Sequence, residues 1–148
     1  MEDFKSVLVI VEGEPIGKGR AKASSVGGFV RMYTPAKTRQ YEDRIRTEAT
    51  ASMNGRDPFA RPCLLELDLV FEVPASYSKL KRAKCLSGEI RPTKKPDVDN
   101  VLKAVCDSFN GVVWTDDVMA TDFTIRKRFG ETAYVQAVVT PLCAEPIR

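Results

Sequence analysis

Between residues 63 and 73 the apolar side chains fall on every odd position. Cys63, Leu65, Leu67, Leu69, Phe71 and Val73 alternate with Glu66, Asp68 and Glu72 among the even positions. A period of two predicts a strand with one face in the core. Residues 6–11 form an almost unbroken apolar run, which predicts a buried strand. Thr34-Pro35 offers an N-cap followed by the first helical position, and residues 36–53 place Tyr41, Ile45 and Ala49 on one helix face. Residues 99–109 predict an amphipathic helix through Val101, Leu102, Val105, Cys106 and Phe109, stopped by Asn110-Gly111.

The segments between are less regular. Residues 12–28 are Gly- and Lys-rich around Pro15 and predict a loop with hairpin character, and residues 29–33 a short extended piece. Residues 54–62 break the first helix, and residues 74–95 predict a loop or short helix. Residues 112–114 predict a brief strand and residues 115–117 a turn. Two last strands, 121–129 and 133–139, are expected to form a C-terminal β-hairpin across Gly130-Glu131-Thr132. With no internal repeat, the irregular alternation predicts one domain over residues 1–148. Its class is α+β: a small mixed sheet, two main helices and that hairpin.

Composition narrows the chemistry. The chain of 148 residues is 43% hydrophobic and 29% charged, as expected of a soluble globular domain. No apolar run approaches a membrane span, and Met1-Glu2-Asp3-Phe4 is acidic where a signal peptide is basic, so a cytoplasmic location is expected. Cys63, Cys85, Cys106 and Cys143 are scattered without a C-x-x-C pair, which suits a reducing compartment. There is no histidine. That removes Ser-His-Asp and Cys-His catalysis, histidine general bases and Cys/His zinc sites. Acid–base work must come from carboxylates, lysine, tyrosine or water activated by a metal.

The segment that meets this need runs Lys94-Lys95-Pro96-Asp97-Val98-Asp99-Asn100-Val101-Leu102-Lys103, with Asp116-Asp117 following. Carboxylates gathered so closely repel one another unless a cation stands among them. Asp97, Asp99, Asp116 and Asp117 are the candidate ligands of a divalent metal, with magnesium preferred because hard oxygen donors suit it. Such a site can activate water and neutralise a phosphodiester transition state. Lys103, four residues after Asp99, shares its helix face. It is open to two readings, a surface ion pair or an ammonium aimed at the scissile phosphate. Taken singly the aspartates also have plainer readings, as helix caps and turn residues. An EF-hand is excluded because Val101 and Leu102 fall where a ligand and a glycine are needed. The Gly13–Gly19 segment is one residue short of a phosphate loop and lacks Ser or Thr after its lysine.

Lys95-Pro96-Asp97-Val98-Asp99-Asn100-Val101-Leu102-Lys103-Ala104-Val105, then Asp107, Asn110-Gly111-Val112-Val113 and Asp116-Asp117, resembles the RusA family of Holliday-junction resolvases. Upstream, Gly13-Glu14-Pro15, Lys18-Gly19-Arg20 and the run from Tyr33 to Glu42 resemble that family's basic N-terminal segment, and Val73-Pro74, Ser76 and Ser78-Lys79 its middle. The resemblance implies a RusA-like fold and a homodimer that binds four-way DNA junctions and nicks two opposed strands symmetrically with Mg2+. By the same resemblance Asp97, Asp99 and Asp117 would be metal-binding catalytic carboxylates, Lys103 the cationic helper, and Asp116 an accessory acid. The catalytic pattern shows no departure, although the chain is longer than a minimal member.

A formal charge of +3 supports nucleic-acid binding only weakly, so distribution matters more. Candidate DNA contacts are Lys18, Arg20 and Lys22; Arg31, Lys37 and Arg39; and Lys79, Lys81, Arg82, Lys84, Lys94 and Lys95, which lead into Asp97. Arg126, Lys127 and Arg128 form a fourth group. Phe109, Val112, Val113 and Trp114 are expected in the core, with a partner-facing surface as the alternative. Two other functions stay open: a broader nuclease for forks or flaps, and a non-catalytic DNA-binding protein whose acids only cap helices.

Overall fold

The computed structural model describes residues 4–19, 22–33 and 35–147, with backbone alone at Lys22, Val26 and Tyr33. Arg20 and the expected cap Thr34 lie outside the described residues. In chain order the elements are β1 (Val7–Glu12), β2 (Lys22–Val26), β3 (Phe29–Tyr33), α1 (Ala36–Met53), β4 (Cys63–Glu72), α2 (Lys79–Ser87), α3 (Val98–Phe109), a short 3-10 helix (Asp117–Met119), β5 (Ala120–Gly130) and β6 (Tyr134–Pro141). The class is α+β, as expected.

The main sheet has the order β1-β6-β4-β5. β4 runs parallel to β5 and antiparallel to β6, and β6 runs antiparallel to β1. The predicted alternation in β4 holds on its odd positions: Cys63, Leu65, Leu67, Leu69 and Phe71 are buried, while Glu66 and Glu72 are exposed, and Val70 alone of the even positions is also buried. The C-terminal strands have the expected antiparallel sense but differ in pairing. Instead of bonding to each other, β5 and β6 straddle β4, so the pair is not a closed hairpin. β4 is the longest apolar strand of the core, and a place between them satisfies its backbone on both edges.

Among the described residues the two long helices lie on one face of the sheet. α1 packs on β1 and α3 through Thr38, Tyr41, Ile45, Ala49 and Met53, all buried at helical spacing. α3 turns Val101, Ala104, Val105, Ser108 and Phe109 inward. The open face explains β1, where an unbroken apolar run predicted burial on both sides. Val7, Val9 and Val11 are buried, but Leu8 and Ile10 point to the uncovered side and are exposed. Pro35 rather than Thr34 holds the cap position of α1, with no side-chain cap bond.

Of two further segments, the first keeps its expected hairpin character and the second departs from expectation. The loop and extended piece before α1 form a separate ribbon, β2 paired with β3 around Gly27-Gly28. Both glycines have positive φ, +60° and +82°, as a two-residue turn of this hand requires. The 112–114 stretch is a turn instead of a strand. The Phe109 carbonyl accepts from the N–H groups of Val112 at 3.1 Å and Val113 at 2.9 Å, coiling the chain back on the end of α3. Trp114 is thereby sealed inside, edge-on to Phe109 with ring centres 5.5 Å apart. Its Nε1–H donates to Asn110 Oδ1 at 3.0 Å. The core assignment of Phe109, Val113 and Trp114 therefore holds, with Val112 half-buried. Among the described residues no helix is long and apolar enough to cross a membrane.

Trp114→Ala should lower unfolding free energy by about 3–5 kcal/mol, the usual cost of emptying a large aromatic site. Urea denaturation measures it, and a loss below about 1 kcal/mol would show that Trp114 is not a structural anchor.

Candidate active site

The first acidic pair stands where α3 begins. Asp97 is the N-cap residue, with extended backbone (φ −70°, ψ 152°), and its carbonyl accepts from Val101 N–H at 3.3 Å. Its carboxylate makes no cap hydrogen bond and is exposed, so the side chain remains available. Asp99 is exposed in the first turn, where the N–H groups of the helix end favour negative charge. Lys103 follows one turn later, and Asp107 one turn after that. Asp99, Lys103 and Asp107 thus form a polar stripe beside the buried stripe of Val101, Ala104, Val105 and Ser108.

The second pair returns to this helix through the Trp114 turn. Phe59 N–H donates to Val113 C=O at 2.8 Å and Thr115 N–H donates to Phe59 C=O at 3.0 Å, which fixes the chain just before the acids. Asp116 caps the 3-10 helix by accepting from Val118 N–H at 3.4 Å, which is the plainer role foreseen for it. Asp117 is half-buried. Its carboxyl is pushed above the usual range by the hydrogen bond it shares with Asp116, by burial and by the charges of Asp116 and Asp107, while Lys103 pulls the other way. Asp116 is held low by the same shared bond and by Val118 N–H.

The two carboxyls act on stability with opposite signs. For Asp117 the folded state binds the proton more tightly than the unfolded chain does. Its contribution is greatest at low pH and is lost as pH rises through the raised value. The contribution of Asp116 is present above the ordinary carboxylate range and is lost as pH falls through the depressed value.

These side chains suit a hard divalent cation. All four are carboxylates, and the thiol beside them does not compete: burial first, then the charges of Asp117 and Asp107, push Cys106 up to about 12. Among the described residues no three His, Cys, Asp or Glu side chains close into a cage for an ion. Magnesium does not require one, since it keeps several waters and commonly takes one or two carboxylates together with substrate phosphate. The donor chemistry therefore fits.

A cluster of residues that the sequence did not connect stands beside these acids. Lys18, on the loop after β1, donates to Asp107 Oδ2 at 2.5 Å and pairs with Glu42 of α1 at 3.1 Å. Lys103 lies 3.8 Å from the same Asp107 oxygen. Burial pulls the Lys18 pKa down, but the two carboxylates outweigh it and the net shift is upward. Spacing from Lys103 could have flagged Asp107, but nothing in the sequence links Glu42 to Lys18. Beside them a cavity of about 920 Å³, lined in part by Ile16, Lys18, Lys37, Lys95, Asp97 and Asn100, opens at the head of α3.

The remaining basic residues divide. Arg31, Lys37, Arg39, Lys79, Lys81, Lys84, Lys94 and Lys95 are exposed, and Arg82 is half-buried. The Lys81 ammonium sits 3.8 Å from the centre of the Tyr77 ring. Lys22 has only its backbone described. The fourth group is largely engaged: Arg126 pairs with Asp68 on the open sheet face, Lys127 donates to the Lys94 carbonyl, and Arg128 donates to the Tyr134 hydroxyl at 2.8 Å.

The family described as endodeoxyribonuclease RusA matches residues 12–140. An uncharacterized protein of Bacillus subtilis (strain 168), YqaN, is 31% identical over 136 residues, covering 90% of this chain and 95% of its own.

Asp116→Asn should bring Asp117 back toward the ordinary carboxylate range, so that it ionises at lower pH. A carboxyl-carbon NMR titration reads this directly, and an unmoved Asp117 midpoint would contradict the coupling described.

Proposed function

This chain belongs to the RusA family of endodeoxyribonucleases, and on that premise we propose that it cuts four-way DNA junctions by symmetrical paired nicks, as a magnesium-dependent homodimer. The family is one of Holliday-junction-resolving enzymes that depend on a divalent metal, and branched DNA is their substrate. In this proposal residues 1–148 form one endonuclease domain. Asp97, Asp99 and Asp117 would hold the metal, with Asp116 in support. The single observation that carries the assignment is the packing of the Asp117–Met119 turn against α3, the helix that begins with Asp97 and Asp99.

When bound, the divalent ion supplies charge neutralisation at the phosphodiester and activation of the attacking water. The protein's own groups do the rest. Lys103, exposed on the Asp99 face of α3, offers an ammonium to the negative charge that grows on the phosphate oxygens. Asp97 leaves its carboxylate free of the helix cap. The basic residues orient the strand. α1 and α2 both begin without an acidic residue in their first turn, and carry Lys37 and Arg39, and Lys79, Lys81 and Arg82, near their positive ends. Cations there oppose the helix dipole, and DNA phosphates would satisfy both. Of the candidate contacts, Lys18 is engaged by carboxylates, so the exposed residues are the stronger DNA ligands.

A dimer follows from symmetry, because two opposed nicks need two sites and a two-fold axis matches that of the junction. Four free thiols support a reducing, cytoplasmic location.

With magnesium, the wild-type protein should nick opposed strands of a synthetic four-way junction, faster than it cuts forks or duplex. Asp99→Asn should slow cleavage about 100-fold or more while junction binding persists, and binding should weaken steeply with salt. Junctions left uncut by wild type would favour a DNA-binding protein, and equal rates on forks would favour a broader nuclease.

A further inference from the structure

We propose that Asp107 is a positioning residue of the cleavage site: its carboxylate grips Lys18 from the β1–β2 loop and Lys103 from α3, and so fixes where both ammonium groups stand. This rests on the cleavage reading above, and it assigns Asp107 and Lys18 a role that neither helix formation nor core packing requires.

The loop that brings Lys18 is wedged between two helix starts. At Gly17 a Cβ would lie 3.0 Å from Pro96 Cβ and 3.1 Å from Asn100 Cβ. At Gly19 it would lie 2.9 Å from Thr38 Oγ1 and 3.2 Å from Pro35 Cγ. A side chain at either position would press on these neighbours, so the backbone passes closely between the head of α3 and the head of α1. Lys18 N–H donates to the Asn100 carbonyl at 3.0 Å, and Gly19 N–H donates to Thr38 Oγ1 at 3.0 Å. The one residue between the glycines is therefore anchored by its backbone before its side chain makes any contact.

From that anchor the Lys18 side chain runs between α1 and α3. Its ammonium lies 2.5 Å from Asp107 Oδ2 and 3.1 Å from Glu42 Oε1. Lys103 approaches the same Asp107 oxygen at 3.8 Å, with its own side chain 65% exposed. Two carboxylates thus balance two ammoniums, and among the described residues Asp107 is the one that pairs with both cations. The Lys103–Asp107 pair has the lysine N-terminal to the acid, the weaker orientation for supporting an isolated helix. Its geometry serves instead to restrain a lysine that would otherwise sweep through solvent. With the restraint, the ammonium is held beside the Asp99 stripe and the Asp117 turn. Without it, the lysine keeps its charge but loses its place, and positional losses of this kind are paid in turnover.

The test compares wild type with Asp107→Ala, Asp107→Asn and Asp107→Glu. One arm measures junction nicking. The other measures acylation of Lys18 and Lys103 by acetic anhydride, read by mass spectrometry on the folded proteins without metal or DNA. Expected are a fall in kcat of about 10- to 100-fold for Asp107→Ala and Asp107→Asn, junction KM within about twofold, and partial recovery in Asp107→Glu. Acylation of Lys18 should quicken in Asp107→Ala and Asp107→Asn at unchanged thermal midpoint. Wild-type kcat in both charge-removing variants, or a loss confined to KM, would overturn the positioning role. Unchanged acylation in the two variants would overturn the grip itself. If wild type left junctions uncut, the cleavage reading would fall, while the acylation arm would still decide whether Asp107 holds the lysines. Asp107→Asn, equal in size to the native residue, keeps the test open should Asp107→Ala fail to fold.

Discussion

The burial of Trp114 is the constraint on which the acidic site depends. The second acidic pair has no reason to return to α3 unless the chain reverses tightly after the helix and holds the reversal. The indole supplies that hold. It is fully buried against Phe109, its N–H is satisfied by Asn110, and the backbone on either side is bonded to Phe109 and Phe59. A buried indole with its donor paired brings large apolar area at no unsatisfied polar cost. The return is thus rigid enough to press Asp116 and Asp117 toward a helix flank that already carries Asp107 and, four residues before it, Lys103.

Electrostatics then sets the character of the site. Asp117 is raised because it shares a hydrogen bond and like charge with its neighbours, while Asp107 is offset by Lys18. The same fold therefore leaves one acid in need of a cation and supplies another with one. In the proposed site that division is sensible: the uncompensated acids would face metal and phosphate, and the compensated acid would arrange the lysines. Basic residues at the heads of α1 and α2 extend a positive field away from the acidic centre, without which a polyanion would be repelled.

Much of this was legible in the chain. β4 announced itself by its alternation, and α1 and α3 by their buried faces, because each signal is local. The acidic spacing of Asp97, Asp99, Asp116 and Asp117 was equally local, and the missing histidine narrowed the chemistry to carboxylates and lysine. What escaped were pairings over distance. Nothing in Leu8 or Ile10 says that β1 lies at an edge with one side uncovered. Nothing in the last two strands says that β4 slots between them. The 112–114 stretch has strand composition, yet the Phe109 carbonyl and the need to bury Trp114 coil it. Glu42 and Lys18 meet only because two glycines let a loop thread between helix heads.

If both acidic pairs serve one cation, as proposed, paramagnetic broadening by Mn2+ will show it without DNA or turnover. Amides of residues 97–103 and 116–119 should broaden together at the same low Mn2+ concentration. Asp99→Asn and Asp117→Asn should each weaken the effect at both segments. Broadening confined to one segment, or lost at only the mutated one, would contradict the account.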